Sequence, residues 1–320
     1  MLKKENYKIF VRPKKNKNYL VVVLIGKKIT NEWEKYSKKL MVNYCRKNLI
    51  GLISFHKDLT VDKGYYSQPV FNKYLFADYF NKNLRFIENV CYLDHDILCN
   101  PNGPNIFNYF KKGKFNVVSK YKNLPYPQSD DFLRRRAAFN RKAYYDKSFP
   151  LDSSLTISRK KTFNYHGWPD QGDYFCSGVI MFNVKQKASF FKKVYLKYCK
   201  KNFFTMTTGE EPIINYEILK TKKINWLDYK FQVLWLLEMN SKYPFLYKLK
   251  KNKNIIKACI ENSISENCFI HFAGKWPEGQ MWKQKNLFNL NTSKFYNRFK
   301  RYLNKKLKSQ PRKNLIKFKN

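Results

Sequence analysis

Acids are scarce in this chain. Its 320 residues hold 23 Asp and Glu against 64 Lys and Arg, a formal charge of 64 − 23 = +41, so the positions of the few carboxylates are informative. Histidine is rarer, with only His56, His95, His166 and His271. Seven cysteines (Cys45, Cys91, Cys99, Cys176, Cys199, Cys259 and Cys268) are odd in number, scattered, and never spaced Cys-x-x-Cys. That excludes a disulfide framework or a zinc ribbon and leaves reduced, mostly buried thiols. No apolar run reaches the eighteen or so residues that span a bilayer, and residues 1–6 are polar with no apolar signal core, so a cytoplasmic chain is expected. No Pro/Gly-rich linker and no internal repeat divides the sequence. The hydrophobic share of 43% and aromatic share of 18% exclude wholesale disorder. The length permits one large α/β domain or two small ones, and one catalytic domain is the simpler parse.

The positive charge has two competing origins. A polyanionic partner (nucleic acid, an anionic membrane face or an acidic glycan) is one. A compositional drift toward Lys and Asn is the other, and the excess of both along the whole chain favours it. Nucleic-acid binding needs basic residues and stacking aromatics gathered on one surface, whereas here the charge is diffuse and no recognised module is present. A basic nucleic-acid-binding protein is therefore the alternative reading and not the preferred one. The charge becomes specific only at the end. No acid follows Glu278, and residues 283–320 carry thirteen Lys and Arg. Phe295, Phe299, Tyr302, Leu303 and Leu307 share a helical stripe opposite Lys294, Arg298, Lys305 and Lys308. A basic amphipathic tail over residues 286–320 is expected, with an anionic membrane surface as its contact and a peripheral placement at the inner membrane face.

Residues 1–18 read as a basic, irregular segment, and a catalytic domain is expected over 19–285. Tyr19 to Gly26 is a continuous β-branched run, the pattern of a parallel strand buried on both faces. Thr30 or Asn31 is placed to cap a helix running to about Asn48, with Trp33, Tyr36, Leu40, Met41, Tyr44 and Cys45 on one stripe. Leu49 to Phe55 reads as a second buried strand, and Pro69 opens a helix carrying Val70, Tyr74, Leu75 and Tyr79. A third strand then ends in Val90-Cys91-Tyr92-Leu93-Asp94-His95-Asp96. This is the βαβ alternation of a doubly wound sheet. A short helix is expected from Asn105 to Phe110 and a fourth strand from Phe115 to Val118. Residues 121–168, polar and proline-punctuated with Arg134-Arg135-Arg136, read as a lid or acceptor-binding insertion. A strand closes at Asn183 after Ser177-Gly178, where a glycine marks a close backbone approach or a bulge. A basic helix follows over about 186–201. Gly209-Glu210-Glu211-Pro212 opens another helix, Ile224 to Gln232 forms a strand and turn, and Phe269 to Pro277 is an apolar strand ending in His, Gly, Lys and Trp.

Asp94 and Asp96 hold the functional signal. Alternation along a strand points both carboxylates one way and His95 the other. Two same-side carboxylates at the C-terminal end of a buried strand make a hard, oxygen-rich site for Mn2+ or Mg2+ beside a phosphate, at the edge where open α/β sheets bind ligands. The plain alternative is a strand end with two solvated acids.

The order of these pieces resembles a nucleotide-sugar glycosyltransferase of the GT-A fold, close to glycosyltransferase family 8. Leu93-Asp94-His95-Asp96-Ile97-Leu98 resembles that family's Leu-Asp-x-Asp motif. Phe175-Cys176-Ser177-Gly178-Val179-Ile180-Met181-Phe182-Asn183 is similar to its Phe-Asn-Ser-Gly-Val-Met-Leu-Ile-Asn strand. Glu210-Glu211-Pro212-Ile213-Ile214-Asn215 resembles its Asp-Gln-x-x-Leu-Asn element, and the segment ending in Tyr229-Lys230-Phe231-Gln232 loosely resembles its Leu-Pro-x-x-Tyr-Asn turn. His271-Phe272-Ala273-Gly274-Lys275-Trp276 resembles a shortened His-x-x-Gly-x-x-Lys-Pro-Trp. The resemblance runs from about Tyr19 to Trp282.

It implies a mostly parallel, Rossmann-like sheet flanked by helices, and transfer of a hexose from a nucleotide diphosphate sugar, UDP-linked by expectation, to a glycan or lipid-linked acceptor. By the same resemblance Asp96 and His271 ligate Mn2+ or Mg2+, with Asp94 on the metal or the donor ribose. Lys275, beside Gly274, and the metal neutralise the leaving diphosphate. Leu24, Ile25 and Gly26 hold the base, and Lys73 reaches toward the donor phosphates. Ser177 and Gly178 let the sugar approach the backbone, and Glu210 or Glu211 bonds its hydroxyls or the acceptor. Cys176 for Asn, Glu210-Glu211 for Asp-Gln, Gln232 for Asn and the compressed His271 motif depart from the pattern. They leave open the donor sugar, the stereochemistry, and the further alternative of a glycosyltransferase-fold protein without activity. An inverting reaction needs a carboxylate base, which Asp152, Asp170, Asp173, Glu210 or Glu211 would supply.

Overall fold

The computed structural model describes residues 6–62, 64–201, 203–205 and 209–288. The amphipathic pattern expected between Lys294 and Lys308 lies outside these described residues. An edge strand, β1 (Tyr7–Val11), opens the chain, followed by β2 (Asn18–Val23), helices α1 (Lys27–Tyr36) and α2 (Lys38–Lys47), and β3 (Gly51–Phe55). Helix α3 (Asn72–Asn83) leads to β4 (Asn89–Leu93), the short β5 (Ile97–Cys99) and β6 (Phe115–Val118). Helices α4 (Asp130–Tyr144) and α5 (Arg159–Tyr165) precede β7 (Val179–Asn183), which runs directly into α6 (Val184–Lys200). The remainder comprises α7 (Glu211–Lys220), β8 (Ile224–Leu227), β9 (Val233–Leu234), α8 (Trp235–Lys242), α9 (Lys253–Glu266) and β10 (Phe269–His271).

Seven strands form the main sheet in the order β1-β3-β2-β4-β7-β6-β8, and β5-β10-β9 form a second, smaller sheet. The centre of the main sheet, β3-β2-β4, is parallel, as the strand–helix alternation predicts. β1, β7 and the β6–β7 contact are antiparallel, so the sheet is mixed. Alternation along β2 divides its side chains between two cores. Leu20 and Val22 pack with the stripe of α2 (Leu40, Met41, Tyr44 and Cys45), while Tyr19 and Val21 pack with the aromatic faces of α3 and α6. Helices therefore cover both faces, which is why these strands read as unbroken apolar runs.

Two expectations differ from the structure. The N-terminal segment is not irregular throughout, because Tyr7–Val11, apolar apart from Lys8, pairs antiparallel with β3, with a bulge between Ile9 and Val11. The single helix expected from Thr30 is two. It starts at Lys27 because Gly26, at φ +94°, turns the chain out of β2, and Thr30 then bonds the Gly26 carbonyl with its backbone N–H at 3.2 Å and its hydroxyl at 3.1 Å. It divides at Ser37, a fully buried residue whose hydroxyl bonds the His95 carbonyl at 2.9 Å. Residues 121–168, expected as a lid or acceptor-binding insertion, contain the two helices α4 and α5. Ser129 caps α4 and Ser158 caps α5, and the Arg134 and Arg135 of its arginine triplet pair with Asp130 and Asp131 one turn earlier at 2.7 and 2.8 Å. No described helix is long and apolar enough to cross a membrane.

The parallel pairing sets Tyr19 opposite Gly51. A Cβ at Gly51 would lie 2.2 Å from the Tyr19 ring, so the glycine is the space the ring occupies. Gly51→Ala is expected to destabilise the fold by about 1–3 kcal/mol, and Gly51→Ala combined with Tyr19→Leu to recover part of that loss. Denaturant unfolding of the four-member double-mutant cycle checks this, and strictly additive losses would refute the contact.

Candidate active site

The site starts where the apolar run of β4 stops. Asp94 begins a turn, its N–H bonded to the Gly178 carbonyl at 3.0 Å, and the chain re-enters a strand at Ile97. β5 pairs antiparallel with β10, placing Ile97 opposite His271, and the Phe272 N–H bonds the Asp96 carbonyl at 3.2 Å. Register alone thus carries the last described strand's histidine to the aspartate turn. The His271 Nε2 lies 3.3 Å from Asp96 Oδ1 and 3.5 Å from Asp94 Oδ2. One potential ligand atom from each of the three residues falls within 4.8 Å of the others. Gly178 makes room for this approach, since a Cβ there would sit 2.4 Å from His271 Cε1, 2.6 Å from Nδ1 and 3.0 Å from Asp94 Oδ2. Asp96 Oδ1 is buried and accepts no hydrogen bond among the described residues. An orphaned carboxylate oxygen facing a second carboxylate and an imidazole is a donor set that suits a divalent cation. His95 turns the other way, edge-on to Trp282 at 5.7 Å.

Behind the carboxylates lies a buried charge network. The ammonium of Lys73, on α3 and 7% exposed, is 3.1 Å from Asp94, 2.6 Å from Glu210 and 3.2 Å from the Ser177 hydroxyl. Ser177 Oγ donates to Glu210 at 2.7 Å, and the Tyr92 hydroxyl donates to Asp94 at 2.5 Å. Glu211 pairs with Lys120 and accepts the Ser177 N–H at 3.3 Å. Burial would neutralise these groups, and the pairs reverse it. Against burial, Asp94 and Glu210 raise the Lys73 ammonium well above its ordinary value. Against burial again, Lys73 and His271 hold Asp94 below the usual carboxylate range, and Lys120 does the same for Glu211. Burial alone would strip His271 of its proton, but Cys176 and Asp96 beside the ring raise it well above the usual imidazole value.

A cleft of about 720 Å³ opens on this cluster at the C-terminal ends of β2 and β4. Of the expected site residues, Ile25, Lys73, Asp94, Asp96, Gly274 and Lys275 line it. Leu24 is only 1% exposed and belongs to the core, while Gly26 forms the turn into α1. Ser177, Glu210 and His271 are buried, and with Gly178 they form the layer behind the carboxylates. Of the acids offered as a base, Glu210 and Glu211 reach the cluster. Asp170 is held by Arg159 at 2.7 and 2.9 Å, Asp173 bonds Ser119 at 2.7 Å and Lys122 at 3.0 Å, and Asp152 lies in the insertion without joining the cluster. Sequence reasoning missed Tyr92, Lys120 and Trp282. Tyr92 was accessible, being two positions before Asp94 on the same strand face. Nothing local marked the other two.

Fold and site together define an α/β protein with two carboxylates and an imidazole, a set that could hold a metal ion, at the C-terminal edge of the parallel strands of a mixed sheet. The family model described as glycosyl transferase family 8 matches residues 10–277, and the chain belongs to that family. It is accordingly a glycosyltransferase of GT-A architecture. No curated protein matches the chain in sequence. Among solved structures it is similar to a glycosyltransferase involved in the glycosylation of the major capsid of PBCV-1, at 11% identity and a TM-score of 0.48, covering 83% of this chain and 98% of that one. It is also similar to the bifunctional glycosyltransferase WbbM in its apo structure, at 12% identity and a TM-score of 0.44, covering 88% of this chain and 52% of that one.

Gly178→Ala is expected to push the imidazole out and weaken Mn2+ binding by about tenfold or more with the fold retained, which calorimetric titration beside circular dichroism would check. In the wild type a bound cation must displace the His271 proton. Affinity should therefore rise with pH through the neutral range, by at most about tenfold per unit, and fall on acidification. A flat profile would show that His271 binds no metal.

Proposed function

We propose that the protein transfers a hexose from a nucleotide diphosphate sugar, UDP-linked, to a glycan or lipid-linked acceptor, with Mn2+ or Mg2+ at Asp94, Asp96 and His271. The observation that carries this is the convergence of those three residues, with Asp94 and Asp96 on the wall of the 720 Å³ cleft and His271 buried directly behind them, in a chain of a glycosyltransferase family. The cation supplies positive charge to the diphosphate as it departs. Lys275, on the cleft wall, adds a second positive charge from the chain itself. Ile25 lines the end of the cleft assigned to the base. Lys73, already engaged by Asp94, Glu210 and Ser177, balances the charge of the carboxylates and leaves most phosphate contact to Lys275. Glu211 is held ionised by Lys120, so it accepts hydrogen bonds from sugar or acceptor hydroxyls and does not act as an acid. The basic tail, residues 286–320, supplies contact with an anionic membrane face.

Thermal unfolding with UDP, with and without Mn2+, on the wild type and Asp96→Asn tests the donor site. A ligand that binds only the native state raises the midpoint by mass action. The expected result is a rise that needs both UDP and Mn2+ and disappears in Asp96→Asn, whose ligand-free midpoint stays near the wild-type value. No rise with any nucleotide diphosphate would overturn the proposal. The membrane contact has its own test. Deleting residues 286–320 should weaken cosedimentation with phosphatidylserine vesicles while sparing donor hydrolysis, and unchanged cosedimentation would remove the tail from the proposal.

A further inference from the structure

The His271 ring has two sides with different company. Its Nε2 faces Asp94 and Asp96. Its Nδ1 faces the side-chain amide of Gln232, whose nitrogen lies at 3.4 Å, and the Cys176 sulfur, also at 3.4 Å. Both neighbours are buried, Gln232 to 2% and Cys176 to 5% exposure. Backbone geometry holds Gln232 there. It closes the 3-10 turn Tyr229–Phe231 with its N–H on the Tyr229 carbonyl at 2.9 Å, and the next residues form β9, which pairs with β10 so that Leu234 lies opposite His271.

A neutral imidazole carries one N–H and one lone pair, so the two sides are linked. A cation between the carboxylates needs the lone pair on Nε2, which puts the hydrogen on Nδ1, where it needs an acceptor. Two candidates are present. A thiol sulfur is a weak acceptor and an amide carbonyl a good one. The oxygen and nitrogen of the Gln232 amide exchange places by a half-turn of its last side-chain bond. In the orientation that sets the nitrogen on Nδ1, the oxygen is buried with no hydrogen-bond partner among the described residues, so the carbonyl has no bond to give up in turning.

We propose that Gln232 is the positioning residue of the cation centre: its side-chain carbonyl accepts the Nδ1–H of His271 and fixes the ring with the Nε2 lone pair toward Asp94 and Asp96. This rests on the reading of those three residues as cation ligands. Cys176 lies beside the same nitrogen at 3.4 Å, where its sulfur is a weaker acceptor than an amide carbonyl. The role falls on a residue that departs from the family pattern, where the resemblance expects Asn.

The test is Mn2+ affinity, read from the electron paramagnetic resonance signal of the unbound ion, in the full chain and in Gln232→Met, Gln232→Glu and Cys176→Ala. The metal-free thermal midpoint of each variant reports folding. Gln232→Met keeps the side chain's length and removes the acceptor, and it should bind Mn2+ about tenfold to a hundredfold more weakly with a near-wild-type midpoint. Gln232→Glu keeps an acceptor oxygen and should bind at least as tightly as the wild type, while Cys176→Ala should stay close to it. Should Gln232→Met fail to fold, Gln232→Asn, which withdraws the amide by one carbon, takes its place with the same expected loss. Wild-type affinity in the Met or Asn variant, or a Glu variant as weak as Met, would overturn the positioning role and leave the cation centre standing. A wild-type chain that binds no Mn2+ would overturn both.

Discussion

The cost of holding charge away from water governs this site. Asp94 and Glu210 both lie within hydrogen-bond reach of Lys73 in a largely buried layer, where an unpaired ion costs several kcal/mol. A single ammonium serves two carboxylates, and Lys120 serves a third. With its acids ionised, the cluster of Asp94, Asp96, Glu210 and Glu211 carries four negative charges against the two of Lys73 and Lys120, so −4 + 2 = −2. A protonated His271 offsets half of that remainder, and a divalent cation offsets all of it. A divalent cation held there, as proposed, would bring the cluster to neutrality with a neutral imidazole. The same sum explains why a chain so rich in cations brings so many of its few acids to one place.

Much of this architecture was legible in the chain because its centre is parallel and doubly covered. Such strands leave long apolar runs, and β2, β3 and β4 fall where those runs lie. The aspartate pair was readable for a related reason, since polar residues at the end of an apolar run stand out. Boundaries set by tertiary contacts were not readable. Ser37 divides α1 from α2 because its hydroxyl bonds the His95 carbonyl 58 positions away, and no local propensity encodes that. β1 hid in a lysine-rich segment, being only five residues long with its edge position permitting charge.

The second sheet was the least visible part and matters most to the chemistry. Runs as short as Ile97–Cys99, Val233–Leu234 and Phe269–His271 are too brief to disclose a partner. His271 entered the sequence reading through family resemblance, and the register of β5 against β10 supplies the physical reason for its place. Cys176 and Gln232 stood in the sequence as two unrelated departures from a pattern. In space they meet at one ring nitrogen, so they are a single local change in how one histidine is held.

The pairing of β5 with β10 also has a consequence in time. Lys73 meets Glu210 across 137 positions, and Cys176 meets His271 across 95. Contacts of such separation carry a loop-closure cost before they return any stabilisation, and they form late. β10 is the last strand described, so a nascent chain emerging from its N-terminus can assemble β2, β3 and β4 while Asp94 and Asp96 still lack their imidazole. The three-residue cluster is then complete only once the last described strand docks. Until that strand docks, the ribosome-bound chain exposes the carboxylate pair without the imidazole that completes the cluster.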